Sequence, residues 1–160
     1  MVAPAAVWAA LAEVTDPEIP PVSVVDMGMV AQVATDGAHV RIDMTPTFVG
    51  CPALELIRRN VITRISQVDG VAGVAVRFVF DPPWTSERIT AQGRDRLRSF
   101  GIAPPLHEGT GNLISLAEVP DCPYCGSRQT HLENLFGPTA CRSIYYCDAC
   151  RQPFEAVKTI

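Results

Sequence analysis

Apolar residues recur along the first half of the chain with two different periods. Val7, Leu11 and Val14 fall at i, i+4 and i+7 with Trp8 beside them, which predicts a helix over 4–14. Asp16-Pro17-Glu18-Ile19-Pro20-Pro21 stops it, because proline cannot continue a helix and biases its predecessor towards extended backbone. Met29–Ala34 and His39–Met44 read as strands joined at Asp36-Gly37, a hairpin signal. After a loop over Thr45–Gly50, Cys51-Pro52 opens a second helix. Leu54, Ile57, Val61, Ile65 and Val68 form its apolar stripe, and Asp69-Gly70 ends it. Val74–Phe80 is a third strand. Thr85 or Ser86 caps a third helix running to about Phe100, weakened by Gly93.

The order helix, hairpin, helix, strand, helix predicts an α+β fold with helices laid on a three-stranded sheet. This domain is assigned to residues 1–102. Gly101, Pro104, Pro105, Gly109 and Gly111 then mark a linker over 103–119, with one short apolar stretch at Leu113–Leu116.

Residues 120–160 follow a different logic. Cys122-Pro123-Tyr124-Cys125 and Cys147-Asp148-Ala149-Cys150 are two CxxC knuckles separated by 21 residues. Two such knuckles present four thiolates at tetrahedral positions, a donor set suited to Zn²⁺. Four thiolates leave no open position, so Cys122, Cys125, Cys147 and Cys150 read as a structural zinc site. Thr130–Phe136 and Ile144–Tyr146 read as paired strands between the knuckles, with Phe154 and Val157 closing a small core: a zinc β-ribbon. A unit of this size seldom folds without such a staple. Cys141 stands outside both knuckles. A reduced core cysteine is the simpler reading, and an alternative ligand or an iron–sulfur ligand is the sharper one. His131 reads as a strand surface residue.

Charge and composition narrow the partners. The formal net charge is −4, and neither half carries a basic excess: 9 Arg face 11 acids in residues 1–103, and 3 Arg with 1 Lys face 6 acids in 104–160. Phosphate-backbone binding needs the opposite balance, which argues against nucleic acid. No apolar run approaches the ~20 residues of a membrane span. The apolar N-terminus lacks a basic leader, so the cytoplasm is the default compartment. There, six cysteines read as metal ligands or thiols before disulfides.

In the first domain, Cys51 stands at the expected start of a helix with Pro52 at its first position, where the helix dipole lowers a thiol pKa. The alternative is a small apolar residue packed behind the helix. Asp16 and Glu18 place two carboxylates in a proline-stiffened loop, suited to metal or proton chemistry, or simply to capping a turn. Asp26 is a charge amid apolar neighbours and reads as a turn residue ahead of the strand. The sequence contains no P-loop, GxGxxG, HExxH or nucleophile elbow.

Three segments resemble the metal–sulfur cluster assembly domain family: Asp16-Pro17-Glu18-Ile19-Pro20, Val24-Val25-Asp26-Met27-Gly28-Met29-Val30, and Thr45-Pro46-Thr47-x-x-Gly50-Cys51-Pro52-Ala53. The tail adds Cys122-Pro123-Tyr124-Cys125-Gly126-Ser127, Phe136-Gly137-Pro138-Thr139-x-Cys141-Arg142-Ser143 and Tyr146-Cys147-x-x-Cys150-x-Gln152-Pro153-Phe154-Glu155. Both halves together resemble the D-subunit family of phenylacetyl-CoA epoxidase systems.

The resemblance implies that Cys51 matches the family's functional cysteine and that Asp16 and Glu18 match its acidic loop. It further implies an accessory protein, not itself an enzyme, that helps mature an iron or iron–sulfur centre. The oxygenase and reductase subunits of the epoxidase would be its partners. Homo-oligomerisation is left open. Cys141 matches the family tail without a role attached. Phe48-Val49 departs from the pattern, which carries a hydroxyl-bearing pair there, so hydrogen-bond donors near Cys51 are fewer.

Overall fold

The structure, a computed structural model, describes residues 1–107 and 118–160, and among these the chain divides into two compact units, Met1–Trp84 and Thr85–Ile160.

In the first unit, helix α1 (Pro4–Leu11) starts on a proline and buries Val7, Ala10 and Leu11. It is shorter than the expected 4–14. Val14 is still buried, but in a turn after the helix, its N–H donating to the Leu11 carbonyl at 3.0 Å. The proline segment is not a plain stop. Strands β1 (Thr15–Asp16) and β2 (Ile19–Ser23) form a small antiparallel hairpin. Pro20 and Pro21 are tolerated there because this ribbon has only two strands, so the missing N–H groups break no central ladder.

Strands β3 (Val30–Asp36) and β4 (His39–Met44) form the expected hairpin, with Gly37 at φ +59° in the turn. Helix α2 (Leu54–Ile65) then crosses to β5 (Gly73–Phe78), which lies parallel to β4 in the order β3-β4-β5. One sheet face carries Val40, Ile42, Met44 and Val76. The buried stripe Ile57, Val61 and Ile65 of α2 supplies the other side of this core, together with α1. Arg64 of α2 meets Glu13 beyond α1 at 2.9 Å.

Asp26, the charge among apolar residues, is a local clasp. Its carboxylate accepts the Ser23 N–H at 3.0 Å, and the Ser23 hydroxyl accepts the Asp26 N–H at 3.0 Å. Trp84 pins the same turn by donating its indole N–H to the Met27 carbonyl at 2.7 Å. On the polar face of the sheet, Arg77 forks onto the buried Asp43 at 2.6 and 2.9 Å across the β4–β5 pair.

The second unit begins earlier than the residue 102 boundary read from the sequence. A 3-10 turn (Ser86–Arg88) and α3 (Ala91–Ser99) belong to it, so the third helix is split, and Thr90 rather than Thr85 or Ser86 caps α3 through the Gly93 N–H at 2.9 Å. The buried Arg94 guanidinium donates to the Pro105 and Ser86 carbonyls. Strand β6 (Ile102–Ala103) pairs in parallel with β9 (Gln152–Val157), and β8 (Arg142–Cys147) and β7 (Thr130–Asn134) complete the order β6-β9-β8-β7. Ala103, Cys122, Cys147, Phe154 and Ala156 form the core of this sheet. Most of the expected 103–119 linker, including Leu113–Leu116, lies outside the described residues.

Two outcomes follow for the first unit. Ile65→Ala empties a fully buried site beneath the sheet and lowers stability by about 2–5 kcal/mol, read from the urea midpoint at unchanged slope. The Arg77 guanidinium holds the Asp43 carboxyl below its ordinary 3.8, so this pair stabilises above that pH and its contribution is lost as pH falls through the lowered value. Arg77→Ala removes that increment, so the melting temperature measured against pH is lower at neutral pH and falls less on acidification.

Candidate metal centre and the cysteine loop

The two knuckles are built by the same backbone device. After Cys125, Gly126 takes φ +73° and returns its N–H to the Cys122 carbonyl at 2.8 Å. After Cys150, Arg151 takes φ +59° and returns its N–H to the Cys147 carbonyl at 2.8 Å. Glycine adopts this left-handed conformation without strain. Arg151 does so against its Cβ, and that position was not legible as a turn residue.

These turns bring four sulfurs together. Cys122 and Cys150 lie 3.7 Å apart, Cys125 and Cys147 lie 3.6 Å apart, and all four Sγ atoms fall within 4.8 Å of one another. Disulfides need about 2.05 Å, so neither pair is bonded. A tetrahedron with Zn–S of about 2.3 Å has S···S edges of about 3.8 Å, which is the spacing found. The residues therefore fit a closed, four-thiolate metal. The backbone N–H of Cys150 leads in holding the Cys147 thiol down to about 7, helped by that of Ala149. Burial, then the neighbouring thiols, pushes Cys150 up to about 12. Such a spread is what four crowded thiols do when each ionised sulfur discourages the next.

Cys141 stays outside this cluster. Its Sγ lies 3.2 Å from the Thr139 hydroxyl, and its carbonyl accepts the Lys158 N–H at 2.9 Å. His131 is no ligand either: its two ring nitrogens meet Asp148 at 3.1 Å and Glu133 at 2.9 Å. The Glu133 carboxylate, then Asp148, raises its pKa above the ordinary 6.5.

Cys51 is half-buried and sits differently from the sequence reading. Helix α2 starts at Leu54 with Ala53 as N-cap, so Pro52 is not the first helical residue. Two successive turns lead in: the Cys51 N–H donates to the Phe48 carbonyl at 3.2 Å, and the Leu54 N–H to the Cys51 carbonyl at 3.4 Å. Phe48 and Val49 beside it are exposed, Val49 at 75%. Asp16 and Glu18 occupy the tip of the β1–β2 hairpin, where the Asp16 carboxylate accepts the Glu18 N–H at 2.8 Å and shapes the turn. A run of backbone bonds, Val24 to Val14, Met29 to Val24 and Thr45 to Met29, links the base of that hairpin to the end of β4, from which the Cys51 loop departs. Among the described residues, the four ribbon cysteines form a converging group of three or more ligand-type side chains; Asp16, Glu18 and Cys51 do not form another.

Comparison with known proteins agrees with this two-part layout. Residues 4–77 match the family described as iron-sulfur cluster assembly protein, and residues 108–158 match the PaaD zinc beta ribbon domain. The chain is 40% identical over 154 residues, 96% of its length and 92% of the relative's, to the Escherichia coli (strain K12) protein named as the D-subunit of a "Putative 1,2-phenylacetyl-CoA epoxidase". It is 37% identical over 84 residues, 51% of this chain and 78% of the relative, to an Fe-S protein maturation auxiliary factor of Porphyromonas gingivalis. A solved domain of unknown function (DUF59) from Bacillus anthracis aligns over 57% of this chain and 87% of its own, at 34% identity and a TM-score of 0.54. The chain thus belongs to the D-subunit family of 1,2-phenylacetyl-CoA epoxidases, joining an iron–sulfur assembly-type α+β domain to a zinc ribbon.

Proposed function

We propose that this chain is an accessory maturation factor of a phenylacetyl-CoA epoxidase system, delivering iron or an iron–sulfur cluster to the oxygenase or reductase subunit. Cys51 is the transfer ligand. The observation that carries this reading is its position: a half-buried cysteine in a loop outside the closed four-sulfur cluster, beside the exposed Phe48 and Val49. One thiolate offers one bond to the cargo, so the client's own ligands can displace it. Asp16 and Glu18 assist from the β1–β2 tip as oxygen donors or proton acceptors. The relatives named as maturation factors support the role for the first domain.

Cys122, Cys125, Cys147 and Cys150 hold one structural Zn²⁺ in this reading, which neutralises the crowded thiolates and fixes the ribbon. With all positions filled by protein, that zinc takes no part in transfer, and the chain is no enzyme in its own right. Its working compartment is the cytoplasm, consistent with reduced thiols; among the described residues no helix is long and apolar enough to cross a membrane.

A scaffold role is the competing reading. Phe48 and Val49 favour it, since an exposed apolar pair beside Cys51 suits docking and supplies no side-chain hydrogen-bond donors to a thiolate.

Co-expression of the epoxidase subunits with Cys51→Ala separates the two. Under the transfer reading, client iron content and epoxidation fall to the level found without this chain, while the complex still forms. Unchanged iron and activity leave the scaffold reading. For the ribbon, the purified chain is expected to carry about one zinc, and Cys147→Ser to lose it. Stripping the metal collapses the ribbon resonances in a heteronuclear spectrum. The fluorescence of Trp8 and Trp84, both in the first unit, persists.

A further inference from the structure

Among the described residues, strand β7 is an edge of the ribbon sheet. Every residue of the strand after Thr130 is exposed. Leu132 is 46% accessible, and Leu135 and Phe136 just beyond the strand are 54% and 75% accessible. The Asp148 N–H donates to the Gln129 carbonyl at 2.8 Å, which sets the alternation along the ladder. Gln129 and His131 turn their backbone groups towards β8, and Thr130 and Leu132 turn theirs outward. The Thr130 N–H is taken by the Arg128 carbonyl at 2.9 Å. Among the described residues the Leu132 amide and carbonyl make no backbone bond, and the alternation turns them away from β8. Such an edge is a template for another strand.

The sequence of β7 says which strand. Thr130-His131-Leu132-Glu133-Asn134 is complementary to itself when reversed. Turned antiparallel about Leu132, a second copy brings its Glu133 opposite His131, and its His131 opposite Glu133. Leu132 faces Leu132, exchanging N–H and carbonyl with its twin. His131 and Glu133 then occupy non-hydrogen-bonded positions, where cross-strand Cα atoms approach to about 4.5 Å and side chains meet. The bulge between Leu132 and Asn134 leaves Glu133 without a register partner on β8, and its side chain meets only His131 of its own strand, at 2.9 Å, among the contacts described. The acids beside His131, Glu133 on its own strand and Asp148 next to the second knuckle, favour the protonated ring. Among the described residues no other long edge has this property: β3 carries one charged residue, Asp36, and β5 one, Arg77, so neither pairs unlike charges with its own copy.

We propose that β7 is a homodimer interface, pairing antiparallel with β7 of a second copy about a two-fold axis at Leu132 and joining two four-stranded ribbon sheets into one. The interface buries the exposed leucine edge and is independent of the role assigned to Cys51.

Sedimentation of the full chain tests it through charge complementation. Wild type is expected to reach a concentration-dependent dimer. Glu133→Lys places lysine opposite His131, and His131→Glu places two glutamates opposite each other, so each variant alone dimerises about tenfold or more weakly. An equimolar mixture of the two restores unlike pairs at both positions and regains the wild-type dimer. A wild type that stays monomeric at about 1 mM overturns the proposal. So does a dimer that both variants leave intact, and so does a mixture that fails to restore association. A Leu132→Pro variant, which removes the outward N–H, is expected to be monomeric while keeping its zinc.

Discussion

Four sulfurs, two pairs of them 3.6–3.7 Å apart, form a donor set that a bound cation would hold together. Thiols at that spacing cannot all ionise, and burial opposes the charge on each. A divalent ion reverses both effects at once. The ribbon depends on this because its core is small: Ala103, Cys122, Cys147, Phe154 and Ala156, with two of the five being ligand cysteines. On the proposed reading, the metal is not an ornament on a folded sheet but a large part of what the sheet is packed around. The left-handed conformation of Arg151 belongs to the same account. Its strain is offset because it returns an N–H to the Cys147 carbonyl and lets the second knuckle copy the first.

The parts that could be read from the sequence are the parts held by local rules. Periodicity found α1 and α2, which bury one face each, while turn signals and apolar runs found β3, β4 and β5. The knuckle spacing found the four cysteines. What escaped depends on partners distant in sequence or on tolerance of a rule. Prolines in β2 read as a stop, yet a two-stranded ribbon does not use the N–H groups they lack. Strand β6 is two residues long, and its pairing with β9 some fifty residues later assigns α3 to the ribbon unit. Helix α3 carries little apolar surface of its own, with Leu97 its one buried large apolar side chain, so nothing in its pattern announces which core it serves. Asp26 shows the reverse case: a suspicious charge whose explanation, the reciprocal Ser23 clasp, lies three residues away.

Cys51 illustrates how a sound chemical argument can depend on a boundary. A thiol at the first turn of a helix feels unpaired N–H groups and the dipole. Here α2 opens at Leu54, so Cys51 is separated from it by a turn, and its carbonyl accepts the Leu54 N–H. Phe48 and Val49, exposed beside it, suit the protein–protein contact that the proposed transfer role requires.

That requirement fits the division of labour proposed for the two domains. A closed four-thiolate site holds its metal because every ligand is covalently part of one small fold, so release requires unfolding. A single cysteine in a loop has the opposite virtue. It binds weakly, and any client presenting several ligands can take the cargo from it. On that proposal, one chain carrying both would keep the permanent metal and the transient one apart by ligand count, without needing to discriminate between them by chemistry.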